Sequence, residues 1–144
     1  GILTRGATKI IILNEMMKGR FYQEKILGVG LKPFIESKYS DGHRFMQDND
    51  PKHCANSTKQ YMRENNINWW PNPPESPDLN PIEKLWNELK NNVEMATTKD
   101  ELIANIKNFW GALTPARCTR YINHLHSVIP KVIENNGAST YSRE

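Results

Sequence analysis

The stretch Ser76-Pro-Asp-Leu-Asn-Pro-Ile-Glu-Lys-Leu-Trp86 decides the fold, because a proline-rich segment gives way there to a helix. Five of the nine prolines lie within residues 71–81, and this density predicts an ordered loop that is neither helix nor central strand. From residue 81 onward, apolar side chains recur every three or four positions, at Ile82, Leu85, Trp86, Leu89 and Val93. This spacing predicts an amphipathic helix over residues 81–93, whose start is set by the rigid loop before it.

Helical periodicity continues through the C-terminal half of the chain. It predicts helices over residues 99–113 and about 115–135, with a kink at Pro130 and a helix end at Asn136-Gly137. The C-terminal helices thus occupy about residues 81–135.

The N-terminal half has a different pattern. Short apolar or β-branched runs predict strands at 8–13, 43–47 and 67–70, and longer periodic runs predict helices at 19–38 and 56–66. Gly28, Gly30 and Pro33 weaken the first of these helices. Strands early in the chain and helices late predict an α/β fold, formed by a single domain over residues 1–144 with the proline-rich loop inside it.

The composition limits the class of protein. A chain of 144 residues with 38% hydrophobic and 24% charged residues can form one domain with a core. No apolar run approaches the roughly 18–20 residues that a membrane span needs, so we expect no contact with a membrane. The net charge of +3 is compatible with nucleic-acid contact without arguing for it. Cys54 and Cys118 form no disulfide framework and fit a reducing cytosolic or nuclear compartment.

Two acidic residues differ in their positions from the solvated surface charges. Asp48 directly follows the strand predicted at 43–47, and functional groups gather at strand C-termini in α/β sheets. Glu83 lies in the first turn of the helix after the loop, with 34 residues between the two acids. Carboxylates that the fold brings together suit Mg²⁺, which prefers oxygen ligands. Two such ions, about 3.5–4 Å apart, would activate a nucleophile and stabilise the leaving oxygen in phosphoryl transfer.

Both acids also have purely structural interpretations. Asp48-Asn-Asp-Pro51 has the composition of a turn that ends a strand, because Asp and Asn side chains hydrogen-bond to nearby backbone amides. Asn80 is a good N-cap and Pro81 a good first helical residue. Glu83 then occupies the third helical position, from which its carboxylate can reach back to the amide of Asn80. On helical spacing alone, this capping role of Glu83 is favoured.

Two sequence blocks around these acids resemble a known family. The blocks Gln47-Asp-Asn-Asp-Pro-Lys-His53 and Ser76 to Trp86 closely resemble the two downstream signature blocks of the mariner superfamily of DDE transposases. The match is best to the Tc-one-like branch, in which 34 residues also separate the last two catalytic acids. Flanking features are similar too, including Arg5-Gly-Ala-Thr8 before a strand and Phe21-Tyr22 in a helix. The resemblance covers nearly the whole chain.

This resemblance implies a ribonuclease-H-like fold, in which helices flank a mixed sheet, and cut-and-paste DNA transposition. It implies that Asp48 and Glu83 are the second and third acids of a catalytic triad that holds Mg²⁺ or Mn²⁺ in a two-metal site. Water would be activated to cleave a DNA strand, and the freed 3′-hydroxyl would then attack target DNA. The implied partner is DNA, both transposon ends and target, and the implied location is the nucleus. The resemblance leaves open whether two copies form a homodimer.

Asn49, His53 and Asn80 of the two blocks are assigned from the same resemblance, whereas the lysines and tryptophans that follow are considered from their residue type alone. Asn49 and His53 match the signature and, together with Asn80, are expected to support the site, although an exposed position at a helix start is an alternative for His53. Lys52, Lys84 and Lys90 are expected to contact DNA, with an ordinary solvated helix surface as the alternative. The tryptophans at positions 69, 70, 86 and 110 could stack on bases, but aromatic residues at these spacings favour core packing.

The chain departs from the family pattern at one point. The family's first catalytic Asp lies on a first, central strand, and no Asp precedes Asp41 here. Asp41 beside Gly42 is most simply a turn residue, and the acids at 15, 24 and 36 match no catalytic position. We therefore expect a sheet truncated at its N-terminal side. The 144-residue chain alone is expected to be inactive in transposition and marginally stable.

Two hypotheses follow from these observations. In the first, the chain is the larger part of the catalytic domain of a DNA-cutting enzyme that uses Asp48, Glu83 and an upstream Asp. In the alternative, it is a domesticated or degenerate copy that binds DNA or another protein without cutting. The intact signature blocks favour the first hypothesis, and the absent first acid favours the second.

Overall fold

The computed structural model describes residues 1–14, 16–73, 76–138 and 140. In chain order, its elements are β1 (Ile2–Leu3), β2 (Gly6–Ala7), α1 (Gly19–Phe21), a π-helix (Tyr22–Leu31), α2 (Lys32–Lys38), β3 (Phe45–Met46), α3 (Pro51–Cys54), α4 (Asn56–Glu64), β4 (Trp69–Trp70), a 3₁₀ turn (Pro77–Leu79), α5 (Pro81–Val93), α6 (Lys99–Gly111), α7 (Pro115–Asn123) and α8 (Leu125–Glu134). The chain divides into two units. Thr8–Pro74 forms one, here called the Asp48 unit, and Gly1–Ala7 with Glu75–Glu144 forms the other, here called the Glu83 unit.

The Asp48 unit carries the parallel strand pair β3 and β4. Phe45 pairs with Trp69 and Met46 with Trp70, and the amide of Phe45 donates to the carbonyl oxygen of Asn68 at 2.8 Å. The strands predicted at 43–47 and 67–70 are thus confirmed in part, the first at its centre and the second at its C-terminal end. The buried apolar residues of this unit are Tyr22, Leu27, Leu31, Ile35, Met62 and Ile67.

A continuous helical stretch runs from Gly19 to Lys38, as the sequence predicts, but its middle is a π-helix. The amide of Lys32 accordingly donates to the carbonyl oxygen of Leu27, five residues back rather than four. The approach of α4 is close at Gly28, because a Cβ atom at this position would lie 2.6 Å from the hydroxyl oxygen of Tyr61 and would displace the end of that side chain. The glycine that weakens the predicted helix therefore lets α4 pack against it.

The strand predicted at residues 8–13 is wrong. These residues have an irregular backbone, and no strand pairs with them within the residues that the structure describes. A strand requires a neighbour for its backbone N–H and C=O groups, so a β-branched sequence alone does not form one. Thr8 is buried and the following isoleucines are partly buried, so the apolar signal marks burial rather than sheet pairing.

The Glu83 unit contains the hairpin of β1 and β2 and the C-terminal helices. Ile2 pairs with Ala7 and Leu3 with Gly6 in antiparallel register, and α7 packs against both strands. Helix α5 packs against α6 and α7. The buried apolar residues of this unit are Leu85, Leu89, Phe109, Trp110, Leu113, Cys118, Tyr121 and Val128. The predicted mixed sheet is thus represented, in the described residues, by one antiparallel pair and one parallel pair that belong to different units.

Helix boundaries in the Glu83 unit follow local capping chemistry. Helix α5 has the predicted bounds, and Thr98 and Thr114 cap α6 and α7 by accepting hydrogen bonds from backbone amides three residues on, each at 3.2 Å. The single helix predicted over 115–135 is two helices that meet at His124, and Pro130 lies inside the second. None of the described helices is long and apolar enough for a bilayer crossing.

Candidate functional site

Asp48 follows β3 directly and holds a defined turn. Its Oδ1 atom accepts a hydrogen bond from the amide of Asp50 at 3.2 Å and lies 2.5 Å from Nδ1 of His53. The side chain is 58% exposed, and Oδ2 has no hydrogen-bond partner among the residues that the structure describes. The turn interpretation of Asp48 is therefore correct as far as Oδ1 is concerned, while Oδ2 stays available to a ligand.

His53 lies in α3 and is largely buried, with 14% of its side chain exposed. Its ring packs on the ring of Tyr22, with the centroids 4.1 Å apart and the planes at 32°. The backbone oxygen of His53 accepts a hydrogen bond from Nε2 of Gln47 at 3.1 Å. The alternative of an exposed residue at a helix start is therefore wrong for His53, because the π-helix places Tyr22 against it.

Tyr22 completes this group of contacts from the π-helix. Its hydroxyl donates a hydrogen bond of 2.5 Å to Oε1 of Gln47. Burial, reinforced by the negative charges of Asp48 and Asp50, raises the pKa of Tyr22 well above its ordinary value. The phenol consequently stays protonated and keeps donating to Gln47 at any physiological pH.

The short helix α3 is fixed by the residue before it. Asp50 is its N-cap, and Oδ1 of Asp50 accepts from the amide of Lys52 at 3.0 Å, while Pro51 supplies a first helical residue that needs no donor. The Nζ atom of Lys52 forms an ion pair with Oδ2 of Asp50. These bonds from Lys52 hold the pKa of Asp50 below its ordinary value. Lys52 thus has an ion-pair partner within the protein.

Asn49 connects this turn to the start of the proline-rich loop. Its Nδ2 atom donates to the backbone oxygen of Asn72 at 3.0 Å and to that of Pro73 at 3.4 Å. Its Oδ1 atom lies 3.8 Å from the thiol sulfur of Cys54. The structure therefore gives Asn49 a specific task, which is to hold the loop beside the end of β3.

Glu83 lies in the first turn of α5 in the other unit and is partly buried. Its amide donates to the backbone oxygen of Asn80 at 3.1 Å, but the Asn80 side chain makes no capping bond. The amide of Asn80 donates instead to the backbone oxygen of Pro77 at 3.0 Å. The capping role that helical spacing favours for Glu83 is therefore wrong, because the 3₁₀ turn uses the amide that Glu83 would have capped. Its carboxylate has no partner among the described residues.

Asp78 is a residue of this region that sequence reasoning missed. It is 6% exposed, and its Oδ2 atom accepts from the amide and the hydroxyl of Thr140 at 2.8 and 2.9 Å. Burial opposes ionisation, yet the hydrogen bonds from Thr140 keep the pKa of Asp78 below its ordinary value. Asp78 thus anchors the 3₁₀ turn before α5. Its position between Pro77 and Leu79 carries no sequence signal for a partner 62 residues away.

A second missed cluster lies on α5 and α7. Oε1 of Glu88 accepts from Arg117 at 2.5 Å, and Oε2 of Glu88 accepts from the hydroxyl of Tyr121. The hydrogen bond from Tyr121 is the main cause that holds the pKa of Glu88 below its ordinary value, and the contact with Arg117 adds to it. The cluster ties the helix that carries Glu83 to α7.

The predicted site residues are thus brought together in two groups. Asp48, Asn49, Lys52 and His53 share one turn in the Asp48 unit, and the block at 80–84 opens α5 in the Glu83 unit. Lys84 and Lys90 are both exposed, but six residues place them about 120° apart around the helix axis, so they do not share a face. Within residues 1–14, 16–73, 76–138 and 140, no three His, Cys, Asp or Glu side chains are grouped so that they could hold a metal ion.

Comparisons with known proteins point to one family. The model of a family described as DDE superfamily endonuclease matches residues 18–103. The Transposable element Tc1 transposase of Caenorhabditis elegans is 31% identical over 128 residues, and the Tcb2 transposase of Caenorhabditis briggsae is 29% identical over 128 residues. Each alignment covers 88% of this chain and 47% of the relative. The chain therefore spans about half the length of these curated relatives.

The fold is also found in solved structures. The Mos1 transposase catalytic domain, solved with raltegravir and Mn, has a TM-score of 0.74 and 20% sequence identity to this chain. The match covers 90% of this chain and 68% of that chain, and the structure of the same domain with raltegravir and Mg matches with the same TM-score. This structural match confirms the ribonuclease-H-like fold that the resemblance of the two sequence blocks implies.

Proposed function

The chain belongs to the DDE superfamily endonucleases, and we propose that it forms the catalytic core of a cut-and-paste DNA transposase. Its homology to the Tc1 and Tcb2 transposases supports this function. The comparisons do not favour the alternative of a binding module that has lost catalysis. The proposed reaction is hydrolysis of a DNA phosphodiester followed by attack of the freed 3′-hydroxyl on target DNA.

The observation that carries the proposal is the state of the two signature acids. Asp48 uses one carboxylate oxygen within the protein, and Glu83 uses neither, within the part of the chain that the structure describes. Carboxylates at helix starts can be used within the protein for capping bonds, as those of Asp50 and Glu101 are here. Two acids that keep oxygens for a ligand, both in the blocks that carry the family signature, support a role in binding a cation.

The chemistry of these donors fits Mg²⁺ or Mn²⁺. Both acids present hard carboxylate oxygens, and Mg²⁺ is commonly held by one or two protein carboxylates, with water and substrate phosphate as its other ligands. Asp48 would bind through Oδ2 and Glu83 through its carboxylate; the two-metal form also requires the family's first acid. When bound, such ions lower the pKa of the attacking water and neutralise charge on the leaving oxygen.

Other residues of this chain would prepare the site for DNA. Asn49 holds the proline-rich loop in place beside Asp48, and Lys84 is an exposed cation directly after Glu83. Lys52 and Lys90 are proposed as further phosphate contacts, each acting separately because they lie on different elements or faces. We place the activity in the nucleus, where its DNA substrate lies.

The test is Mn²⁺ binding to the 144-residue chain, measured by electron paramagnetic resonance. Asp48→Asn and Glu83→Gln should each weaken binding at least about tenfold, since each removes a charged ligand and keeps the side-chain shape. The matched controls Asp100→Asn and Glu94→Gln change exposed acids outside the signature blocks and should leave affinity within about twofold. Unchanged affinity in both signature variants would refute the site. A nicking assay on supercoiled DNA with Mg²⁺ tests catalysis separately.

A further inference from the structure

His53 is contacted by residues that lie outside its own helix, α3. Its ring stacks on Tyr22, its backbone oxygen accepts from Gln47, and Gln47 accepts from the hydroxyl of Tyr22. These contacts join the π-helix, the end of β3 and helix α3 into one group of hydrogen-bonded and stacked residues. The orientation of the imidazole is thereby fixed before any ligand is present.

The imidazole of His53 forms its side-chain hydrogen bond with Asp48. Nδ1 lies 2.5 Å from Oδ1 of Asp48. Because a carboxylate oxygen accepts, Nδ1 carries a hydrogen atom and donates a hydrogen bond to Asp48. Nε2 is buried and has no hydrogen-bond partner among the described residues. The ring therefore makes one side-chain hydrogen bond in this part of the chain, and that bond is made to a signature acid.

Asp48 depends on this bond for its orientation. More than half of its side chain is exposed, and the other bond to Oδ1, from the amide of Asp50, is the longer one at 3.2 Å. An exposed carboxylate with one long hydrogen bond would exchange between rotamers. With both donors on Oδ1, the carboxylate has one orientation, and Oδ2 is the oxygen left for a ligand.

We propose that His53 is a positioning residue for Asp48: its Nδ1–H fixes Oδ1, and this selects Oδ2 as the oxygen that binds a divalent cation. This inference rests on the proposed function, since it assigns a role toward the cation. Partners that orient a ligand carboxylate in this way commonly change metal affinity by 10–100-fold. Tyr22 and Gln47 act one step further away, because they orient the imidazole.

Two amide substitutions separate positioning from simple filling of space. The side-chain nitrogen of Asn lies two bonds beyond Cβ, as Nδ1 of histidine does, whereas that of Gln lies one bond further, near the place of Nε2. His53→Asn therefore retains a donor for Asp48, and His53→Gln, which is closer to histidine in length, does not. His53→Ala removes both the donor and the ring.

The first readout needs no metal. Three-bond couplings measured by NMR report whether the Asp48 side chain holds one χ1 rotamer. We expect a single rotamer in the wild-type chain and in His53→Asn, and averaging among rotamers in His53→Gln and His53→Ala. A single rotamer in all four proteins, or averaging in all four, would overturn the proposal. The resonances of the buried residues Leu27 and Met62 show whether each variant is folded.

The second readout is Mn²⁺ affinity, with Asp48→Asn measured beside the His53 variants. We expect about a tenfold loss in His53→Gln and His53→Ala, and a loss of no more than about threefold in His53→Asn. If Asp48→Asn weakens binding and His53→Gln does not, the positioning role is refuted and the proposed metal site stands. If Asp48→Asn itself binds as tightly as the wild type, the proposed metal site is refuted, and the coupling measurement alone decides whether His53 orients Asp48.

Discussion

The amide of Asn80 donates a hydrogen bond of 3.0 Å to the backbone oxygen of Pro77, and this bond releases Glu83 from the capping role that its position predicts. Glu101, at the equivalent position of α6, does accept hydrogen bonds from the residues that precede its helix. Its Oε2 atom accepts from the amide of Thr97 at 2.9 Å and from the hydroxyl of Thr97 at 3.0 Å. Two glutamates in the same local position thus differ because one helix is preceded by a 3₁₀ turn and the other is not.

The first prediction compares these two glutamates. Glu83→Ala should change the free energy of unfolding by no more than about 0.5 kcal/mol, because no bond within the described chain is lost. Glu101→Ala should be the more destabilising of the two, since it leaves the amide of Thr97 without its acceptor. Both lose the same attraction to the helix dipole, so the difference reports the cap. Urea denaturation of the two variants measures it, and an equal or larger loss in Glu83→Ala would contradict the prediction.

The second prediction concerns the close approach of α4 to the π-helix. Gly28→Ala places a methyl group 2.6 Å from the hydroxyl oxygen of Tyr61, so the end of that side chain must shift, and it should lower the free energy of unfolding by up to about 1 kcal/mol. Tyr61→Phe removes that oxygen, so Gly28→Ala should be neutral or stabilising in this background, since alanine favours helix over glycine. Gly19→Ala is the control, because its methyl group would have no described atom within 4 Å apart from the adjoining backbone. Equal costs in both backgrounds would contradict the assigned contact.

The third prediction compares the contributions of a buried and an exposed tryptophan to stability. Trp110 is 6% exposed and stacks on Trp86 with ring centroids 5.7 Å apart, whereas Trp70 is 52% exposed and lies under the guanidinium of Arg44. Trp110→Ala should cost about 3–5 kcal/mol of stability, and Trp70→Ala much less. Thermal unfolding followed by circular dichroism compares them. A similar loss in the two variants would mean that burial does not decide the contribution.

The fourth prediction is a pH dependence that arises from Glu88. Its pKa is lowered in the folded state by the hydrogen bond from Tyr121 and then by Arg117, so the unfolded chain takes up a proton first as the pH falls. The stability that this cluster contributes is complete above the ordinary pKa of 4.5 and is lost as the pH falls through the lowered value. Because half of the Glu88 side chain is exposed, the contribution is no more than about 1 kcal/mol.

The matched variants for this prediction are Glu88→Gln and Tyr121→Phe. Urea denaturation at a series of pH values below 5 should give a smaller loss of stability in Glu88→Gln than in the wild type. A loss remains in that variant, because Asp78 also has a lowered pKa and is unchanged. Tyr121→Phe removes the leading cause of the shift and should lie between the two. Identical pH profiles for all three proteins would rule out the cluster as a source of acid sensitivity.

The sequence predicts those parts of the fold that depend on local chemistry. Helix α5 has the predicted bounds and α6 ends two residues early, because apolar spacing and capping residues act within a turn or two. The strand at 8–13 fails because pairing depends on a distant partner. The sequence places the irregularity of the last helix at Pro130, whereas the structure divides this helix at His124, six residues earlier, with Pro130 inside α8.

The same distinction between local sequence and distant partners applies to the candidate site. The family was identified from two blocks of sequence, and its confirmation required no structure. The contacts of His53 could not be predicted, because Tyr22 lies 31 positions earlier and reaches it only through the packing of the π-helix. Glu83 shows the reverse case, since a strong local pattern for capping is overridden by the turn at Pro77.

The π-helix from Tyr22 to Leu31 has a consequence for length changes in this region. A bond pattern that skips one position more than an α-helix accommodates a surplus residue without unwinding. Deleting that one residue would let an ordinary α-helix form with Tyr22 and Ile35 still in their present directions, whereas an α-helix of the present length would turn Tyr22 by about 100° relative to Ile35. The π-helix is therefore what keeps the aromatic ring of Tyr22 against His53 at the present length of this segment.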